Sequence, residues 1–131
     1  MRPKGISSPS APPAVGPYSQ AVRAGDFVFL SGLIALDPAT SKLIDGGISE
    51  QADRCFKNLS NILKSADAQL ADVVQFNVYL ASLEDWPVMN EACKKFFVAD
   101  PAPARTSVFP AILPPGARIL MDAVAYKPVS E

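Results

Sequence analysis

Histidine is absent from the 131 residues of this chain. Its absence excludes arrangements in which an imidazole activates a serine or cysteine nucleophile, and it removes the commonest zinc ligand. Any proton transfer at a functional site must therefore use other side chains or water.

Cysteine is nearly absent as well. Cys55 and Cys93 are the only two, and they lie far apart in the sequence, each within a predicted helix. Metal clusters and disulfide frameworks need more cysteines at closer spacings. We therefore expect no metal site and no required disulfide, which fits a reducing cytoplasm.

Long apolar runs and blocks of like charge are also missing. No stretch approaches the ~18 apolar residues of a membrane span, and residues 1–16 lack the apolar core of a secretory signal. The net charge is −1 and is not concentrated anywhere along the chain. The sequence therefore predicts a cytoplasmic protein that binds neither membranes nor nucleic acid.

The composition that is present suits one globular domain. Hydrophobic residues make up 49% of the chain, charged residues 19%, and the mean hydropathy is +0.16. Five of the thirteen prolines fall within residues 1–17. We predict an extended arm over residues 1–15 and a single domain over residues 16–131.

Strand patterns occupy both halves of that domain. Residues 21–23 and 27–31 flank a Gly25-Asp26 turn and predict a hairpin, and a short strand is expected at 42–44. Alternation over 73–80 predicts a strand with one apolar face, formed by Val74, Phe76, Val78 and Leu80. Two further strands are predicted on either side of a Pro-Pro-Gly turn within residues 101–126.

Two helices follow from apolar residues at helical spacing. The first has Ser49 as its expected N-cap and buries Ala52, Cys55, Phe56, Leu59, Ile62, Leu63 and Ala66. The second begins after Ser82 and buries Trp86, Met89, Cys93 and Phe96. The order β-β-β-α-β-α-β-β predicts a single mixed sheet with both helices on one face, and an apolar opposite face that favours self-association.

Arg105 stands alone in the first of the two C-terminal strands, among residues expected to be buried. A half-buried cation needs an anionic partner, and no acidic residue lies between Pro101 and Asp122. Its partner is therefore a distant carboxylate such as Asp122, an acid from another subunit, or a ligand.

Several motifs together resemble the Rid family of reactive-intermediate imine deaminases, also called the YjgF type. They occur in the family's order and spacing between about Gly16 and Ala125. The motifs are Gly16-Pro17-Tyr18-Ser19-Gln20-Ala21, Ser31-Gly32-Leu33-Ile34, Asp37-Pro38, Asn58-Leu59, Met89-Asn90-Glu91, Pro103-Ala104-Arg105 and Leu113-Pro114.

The resemblance implies a chorismate-mutase-like α+β fold, assembled as a homotrimer with a central barrel and with ligand clefts between subunits. It also implies hydrolysis of enamines and imines, such as 2-aminoacrylate, to 2-keto acids and ammonia. No cofactor or metal is implied, and the expected partner besides the other subunits is a small 2-imino or 2-keto acid.

The resemblance also assigns site residues. Arg105 takes the position that binds the substrate carboxylate, a task that suits a guanidinium fork. Tyr18 corresponds to the tyrosine that packs against substrate, and Gly32 and Asn90 match positions lining the cleft. Ser107 stands where many members have a cysteine whose backbone helps to hold substrate and water. Packing roles for Tyr18, Gly32 and Asn90 remain alternatives.

One departure from the family affects the chemistry. Where the deaminases usually read Ile-Glu-Ile-Glu-Ala, this chain reads Ile119-Leu120-Met121-Asp122-Ala123. Leu120 thus replaces the glutamate assigned to activate the attacking water, and losing a general base typically costs about 10²–10⁴-fold in rate.

Two hypotheses about function follow from that departure. The chain is a deaminase with weak or altered activity, in which Leu120 and Phe109 favour apolar substrates, or it is a non-catalytic trimer. In the second case the same cleft binds a small carboxylate metabolite or a protein partner.

Overall fold

A computed structural model describes residues 2–129 and shows one six-stranded mixed sheet with two helices packed on one face. The strands lie in the order β1-β2-β3-β6-β4-β5, and neighbours are antiparallel except for β4 and β5, which are parallel. This confirms the predicted fold class. The elements are β1 Lys4–Ile6, β2 Ala21–Ala24, β3 Phe27–Leu33, α1 Ile48–Lys64, β4 Val73–Leu80, α2 Trp86–Phe96, β5 Ala104–Val108 and β6 Ile119–Tyr126.

The core lies between the helices and the face of the sheet that they cover. Phe56 of α1 stacks on Phe76 of β4 with ring centroids 5.6 Å apart, and on Phe96 of α2 at 4.5 Å. The apolar stripe predicted for α1 is buried along its length. Within residues 2–129 neither helix combines the length and the apolar character that crossing a bilayer requires.

The face of β4 is predicted correctly except at its start. Phe76, Val78 and Leu80 are buried as expected, but Val73 is buried in place of Val74, which is exposed. A register shift between Val73 and Gln75, where β4 pairs with β6, reverses the alternation there.

The N-cap predicted for α1 is wrong. The helix begins at Ile48 and Gly47 precedes it, so Ser49 lies inside the first turn. The Gly47 N–H donates to the Glu50 carboxylate at 3.2 Å. The third residue of the helix therefore provides the hydrogen-bond acceptor for the residue that caps it. For the second helix, the Ser82 hydroxyl accepts the Glu84 N–H at 3.3 Å, in a single 3-10 turn just before α2.

Two short strands differ from the expectation. The strand predicted at 42–44 is reduced to a single bridge between Leu36 and Leu43. In its place β1, within the proline-rich arm, pairs antiparallel with β2 and forms one edge of the sheet. Three residues that include a lysine and a glycine carry no strand signal of their own, so this pairing depends on the neighbouring strand.

The second face of the sheet is not covered by a helix. Phe27, Phe29 and Tyr126 form an aromatic cluster on it, with the Phe27 ring 6.4 Å from Phe29 and 5.2 Å from Tyr126. Each of the three side chains is more than 40% exposed. We call this surface the open face.

Candidate functional site

Arg105 lies on β5, the edge strand at the far end of the sheet. It is beside Phe76 of β4, and its side chain extends over α2, where Nη1 donates to Asn90 Oδ1 at 2.8 Å and lies 3.9 Å from Met89 Sδ. The residue is exposed, because an edge strand is covered on fewer sides than the sequence suggested. No carboxylate within residues 2–129 forms an ion pair with it.

Trp86 is a contact of Arg105 that the sequence did not identify as functional. The Arg105 guanidinium carbon lies 5.5 Å from the centre of the Trp86 ring, a cation–π arrangement. With Asn90 on the next turn of α2, Trp86 fixes the direction of the guanidinium. Two of the predicted site residues, Arg105 and Asn90, therefore lie together.

Ser107 follows Arg105 on β5 and lies beside Val78 of β4. Residues two apart on a strand share a face, so Ser107 faces the same side of the sheet as Arg105. One edge of β5 pairs with β4, and the other is a row of backbone groups without a neighbouring strand. This edge is suited to the backbone role expected of Ser107.

Tyr18 and Gly32 do not lie near Arg105. They line a cavity of about 280 Å³. Leu120 lines the same cavity. A β-carbon added to Gly32 would lie 3.0 Å from Leu120 Cδ2, so the leucine packs directly on the backbone of β3. A larger residue at position 32 would require the Leu120 side chain to shift by a few tenths of an ångström. We call this space the apolar cavity.

The proline-rich arm forms one wall of the apolar cavity, and Gln20 holds it in place. The buried Gln20 amide accepts the Ser8 N–H at 2.5 Å and donates to the Pro12 carbonyl at 2.7 Å. The Val15 N–H donates to the Tyr18 hydroxyl oxygen at 3.4 Å. The arm thus folds back over Tyr18.

Asp122 is not a partner for Arg105, because it lies on the opposite face of the sheet. Its Oδ1 accepts a hydrogen bond from Asn77 Nδ2 at 2.7 Å on the open face of the sheet, away from α2. The nearby negative charge of Asp122 raises the pKa of Tyr79, with burial as a smaller cause. The pairing of Arg105 with Asp122 that the sequence left open is therefore not formed.

The two cysteines offer no reactive thiolate. Both are free and buried in their helices. Burial raises the pKa of Cys55 to about 12, and it raises that of Cys93 despite the opposing charge of Arg105. Within residues 2–129 no three acidic, cysteine or histidine side chains group together as metal ligands.

The arginine site and the apolar cavity are separated within one chain. Arg105 is on β5 and points toward α2, whereas Leu120 faces the opposite side of the sheet with Tyr79. The strand order places β6 and β4 between Gly32 and Arg105, a separation of roughly 14 Å at about 4.8 Å per strand. One chain does not bring both groups onto one small ligand.

Comparisons with known proteins agree with this fold. A family model described as endoribonuclease L-PSP matches residues 8–127. Human 2-iminobutanoate/2-iminopropanoate deaminase is 42% identical over 122 residues, covering 93% of this chain and 88% of the human protein. The crystal structure of RidA from the Antarctic bacterium Psychrobacter sp. PAMC 21119 is 40% identical with a TM-score of 0.88, covering 94% of this chain and 98% of RidA. E. coli TdcF with bound serine is 32% identical with a TM-score of 0.87, covering 95% of this chain and 98% of TdcF.

The single mixed sheet with two helices on one face, and an arginine directed over the second helix, place this chain among small α+β domains of the YjgF type. The family match extends over nearly the whole domain and arm. The chain belongs to the Rid family of reactive-intermediate imine deaminases.

Proposed function

We propose that this protein hydrolyses 2-imino acids to 2-keto acids and ammonia in a cleft formed by two copies of the chain. The observation that carries the proposal is Arg105, whose guanidinium is oriented by Asn90 and Trp86 and has no carboxylate partner among the described residues. A guanidinium held in this way binds a substrate carboxylate through two parallel hydrogen bonds.

A neighbouring copy supplies the remainder of the cleft. The apolar cavity with Tyr18 and Gly32 belongs to one chain and Arg105 to the next, since a single chain keeps them roughly 14 Å apart. The aromatic cluster of Phe27, Phe29 and Tyr126 exposes apolar surface on the open face, and association with another chain would bury it. We propose a homotrimer whose open faces line a central barrel.

The reaction adds water to the imine carbon and expels ammonia, so that R–C(=NH)–COO⁻ and H₂O give R–CO–COO⁻ and NH₃. Arg105 holds the carboxylate and so fixes the imine carbon, while the unpaired backbone edge near Ser107 holds the water. Leu120 supplies no base, and the nearest carboxylate on β6, Asp122, lies two residues further along the strand with one oxygen bonded to Asn77. Turnover is therefore slower than in a relative with glutamate at position 120. Free cysteines support the cytoplasm as its place of action.

The first experiment measures hydrolysis of 2-imino acids that an amino-acid oxidase generates in the presence of semicarbazide. Wild type should lower the yield of semicarbazone, and Arg105→Ala should not. Arg54→Ala removes the same charge from α1 and should behave as wild type. An equal effect of wild type and Arg105→Ala would contradict the assigned role of Arg105.

A non-catalytic binding role is the second candidate, favoured by Leu120 and by the engagement of Asp122 with Asn77. Leu120→Glu separates the two candidates, because a restored base should raise turnover by about 10²-fold or more in a deaminase cleft. If wild type and Leu120→Glu both fail to accelerate hydrolysis while 2-keto acids still bind, the binding role is correct.

Assembly is tested separately by light scattering coupled to size exclusion. A homotrimer has three times the chain mass of 13.9 kDa. Phe29→Lys places a charge in the aromatic cluster of the open face, and it should both dissociate the trimer and abolish turnover. A monomeric, fully active wild type would refute the shared cleft.

A further inference from the structure

We infer that the apolar cavity is a side-chain pocket that selects 2-imino acids with a larger aliphatic side chain over those with a methyl group. This inference rests on the proposed function and names its substrate class. The cavity encloses about 280 Å³ between the arm, β3 and β6. Its apolar lining includes Pro12, Val15, Leu33, Ile34, Pro114 and Leu120.

The polar side chains in the lining form hydrogen bonds within the chain, and the Tyr18 O–H is left to donate to a ligand. The Gln20 amide is bonded to the arm, and the Ser31 hydroxyl donates to the Ser19 carbonyl at 2.6 Å. The Tyr18 hydroxyl oxygen accepts the Val15 N–H. No charged residue lines the cavity. What remains for a ligand is mainly apolar surface, which favours an apolar side chain over a polar one.

Leu120 is the apolar residue that β6 contributes to the lining of the apolar cavity. It lies against the Gly32 backbone, so close that a β-carbon at position 32 would have to displace it. A glutamate in its place would bring a carboxylate to the same wall. The substitution that removes the base of the family therefore also changes what the cavity accepts.

The apolar lining favours substrates that place more carbon atoms against it. A volume of about 280 Å³ is close to the lower end of the ~300–1,000 Å³ range of small-molecule pockets. A methyl side chain would leave most of it without contacts, whereas an isobutyl group adds three carbons to the apolar wall. Since one methylene in a hydrophobic pocket changes kcat/KM by about 10–200-fold, we expect at least about 10-fold preference for isobutyl over methyl.

The kinetic test compares kcat/KM for the imines of leucine and alanine, 2-imino-4-methylpentanoate and 2-iminopropanoate. Wild type should favour the larger imine, Leu120→Ala should reduce that preference, and the volume-conserving Leu120→Met should keep it. Leu83→Ala is the matched control, because Leu83 is 61% exposed and lies outside the cavity. Equal kcat/KM for the two imines in wild type would overturn the inference.

A binding test keeps the inference independent of turnover. Calorimetry measures the affinities of the corresponding 2-keto acids, 4-methyl-2-oxopentanoate and pyruvate, for wild type and the same variants. Tighter binding of the larger acid that depends on Leu120, without hydrolysis of either imine, would support the pocket and refute the deaminase. Hydrolysis of the imines with equal affinities for the two keto acids would support the deaminase and refute the pocket. Failure to bind either acid or to hydrolyse either imine would refute both hypotheses.

Discussion

Replacing Asn90 with aspartate should weaken substrate binding while preserving the fold. The two side chains have nearly the same shape, so a carboxylate oxygen would occupy the position of Oδ1, 2.8 Å from Arg105 Nη1. The guanidinium would then be paired within the chain, and a substrate carboxylate would have to displace that pair. An ion pair at an exposed site contributes about 0.5–1 kcal/mol, which corresponds to a rise in KM of about 2–5-fold.

The assay is steady-state hydrolysis with KM and kcat determined separately. Because the proposed role of Arg105 is to hold the carboxylate before and during the reaction, the loss should fall on KM while kcat changes little. Asn90→Ala removes only the orienting bond and should raise KM less than Asn90→Asp does. Gln69→Glu adds the same charge at an exposed position away from β5 and should leave KM unchanged. A KM for Asn90→Asp within about twofold of wild type would refute the assignment of Arg105 as the carboxylate site.

Three other predictions concern groups around the site. Arg118→Leu should cost about 3–5 kcal/mol of unfolding free energy in urea, because it leaves the buried Asp85 carboxylate unpaired. Asp85→Asn should cost less, about 1.5–3 kcal/mol, since the half-exposed guanidinium can turn to water, and equal losses would contradict this reasoning. Gln20→Leu removes the bonds that hold the arm, so proteolytic cleavage within residues 8–15 should accelerate while the helices stay protected; an unchanged cleavage rate would show that the arm is held otherwise. Asp122→Asn should lower the pKa of Tyr79 toward its ordinary value in an ultraviolet titration. In wild type the raised pKa of Tyr79 contributes stability that is complete below about pH 10 and is lost as the pH rises through the folded-state pKa. The variant should therefore lose less unfolding free energy over that range. An unchanged titration would refute the coupling.

The regular parts of the fold could be predicted because burial imposes a period on them. The stripe of α1 repeats at helical spacing, and β4 alternates from Phe76 onward, so both were assigned to the correct face. The errors occur where a local interaction overrides the period. A bulge exchanges Val73 and Val74, and the Glu50 carboxylate caps α1 where Ser49 was expected.

The site could be predicted in its residues but not in its geometry. Arg105 stood out in the sequence as a lone cation in a strand, whereas Trp86 matched the buried spacing of α2 and gave no sign of its contact with the guanidinium. Sequence spacing likewise carries no information on which face of the sheet Leu120 and Arg105 occupy relative to each other. That relation follows from the strand register, in which Arg105 lies beside Phe76 on the helix-covered face and Leu120 lies beside Tyr79 on the opposite face.

The position of Arg105 on an edge strand has a consequence for aggregation. A strand with unpaired backbone groups is a template on which another chain can add its own strand, and a charged side chain on that strand discourages such growth. Five residues of β5 form this edge, and Arg105 is the only charged one among them. An apolar residue in place of this arginine would therefore leave the unpaired edge without a charged side chain to discourage pairing. We expect selection against misassembly to retain the arginine even where the ligand has changed.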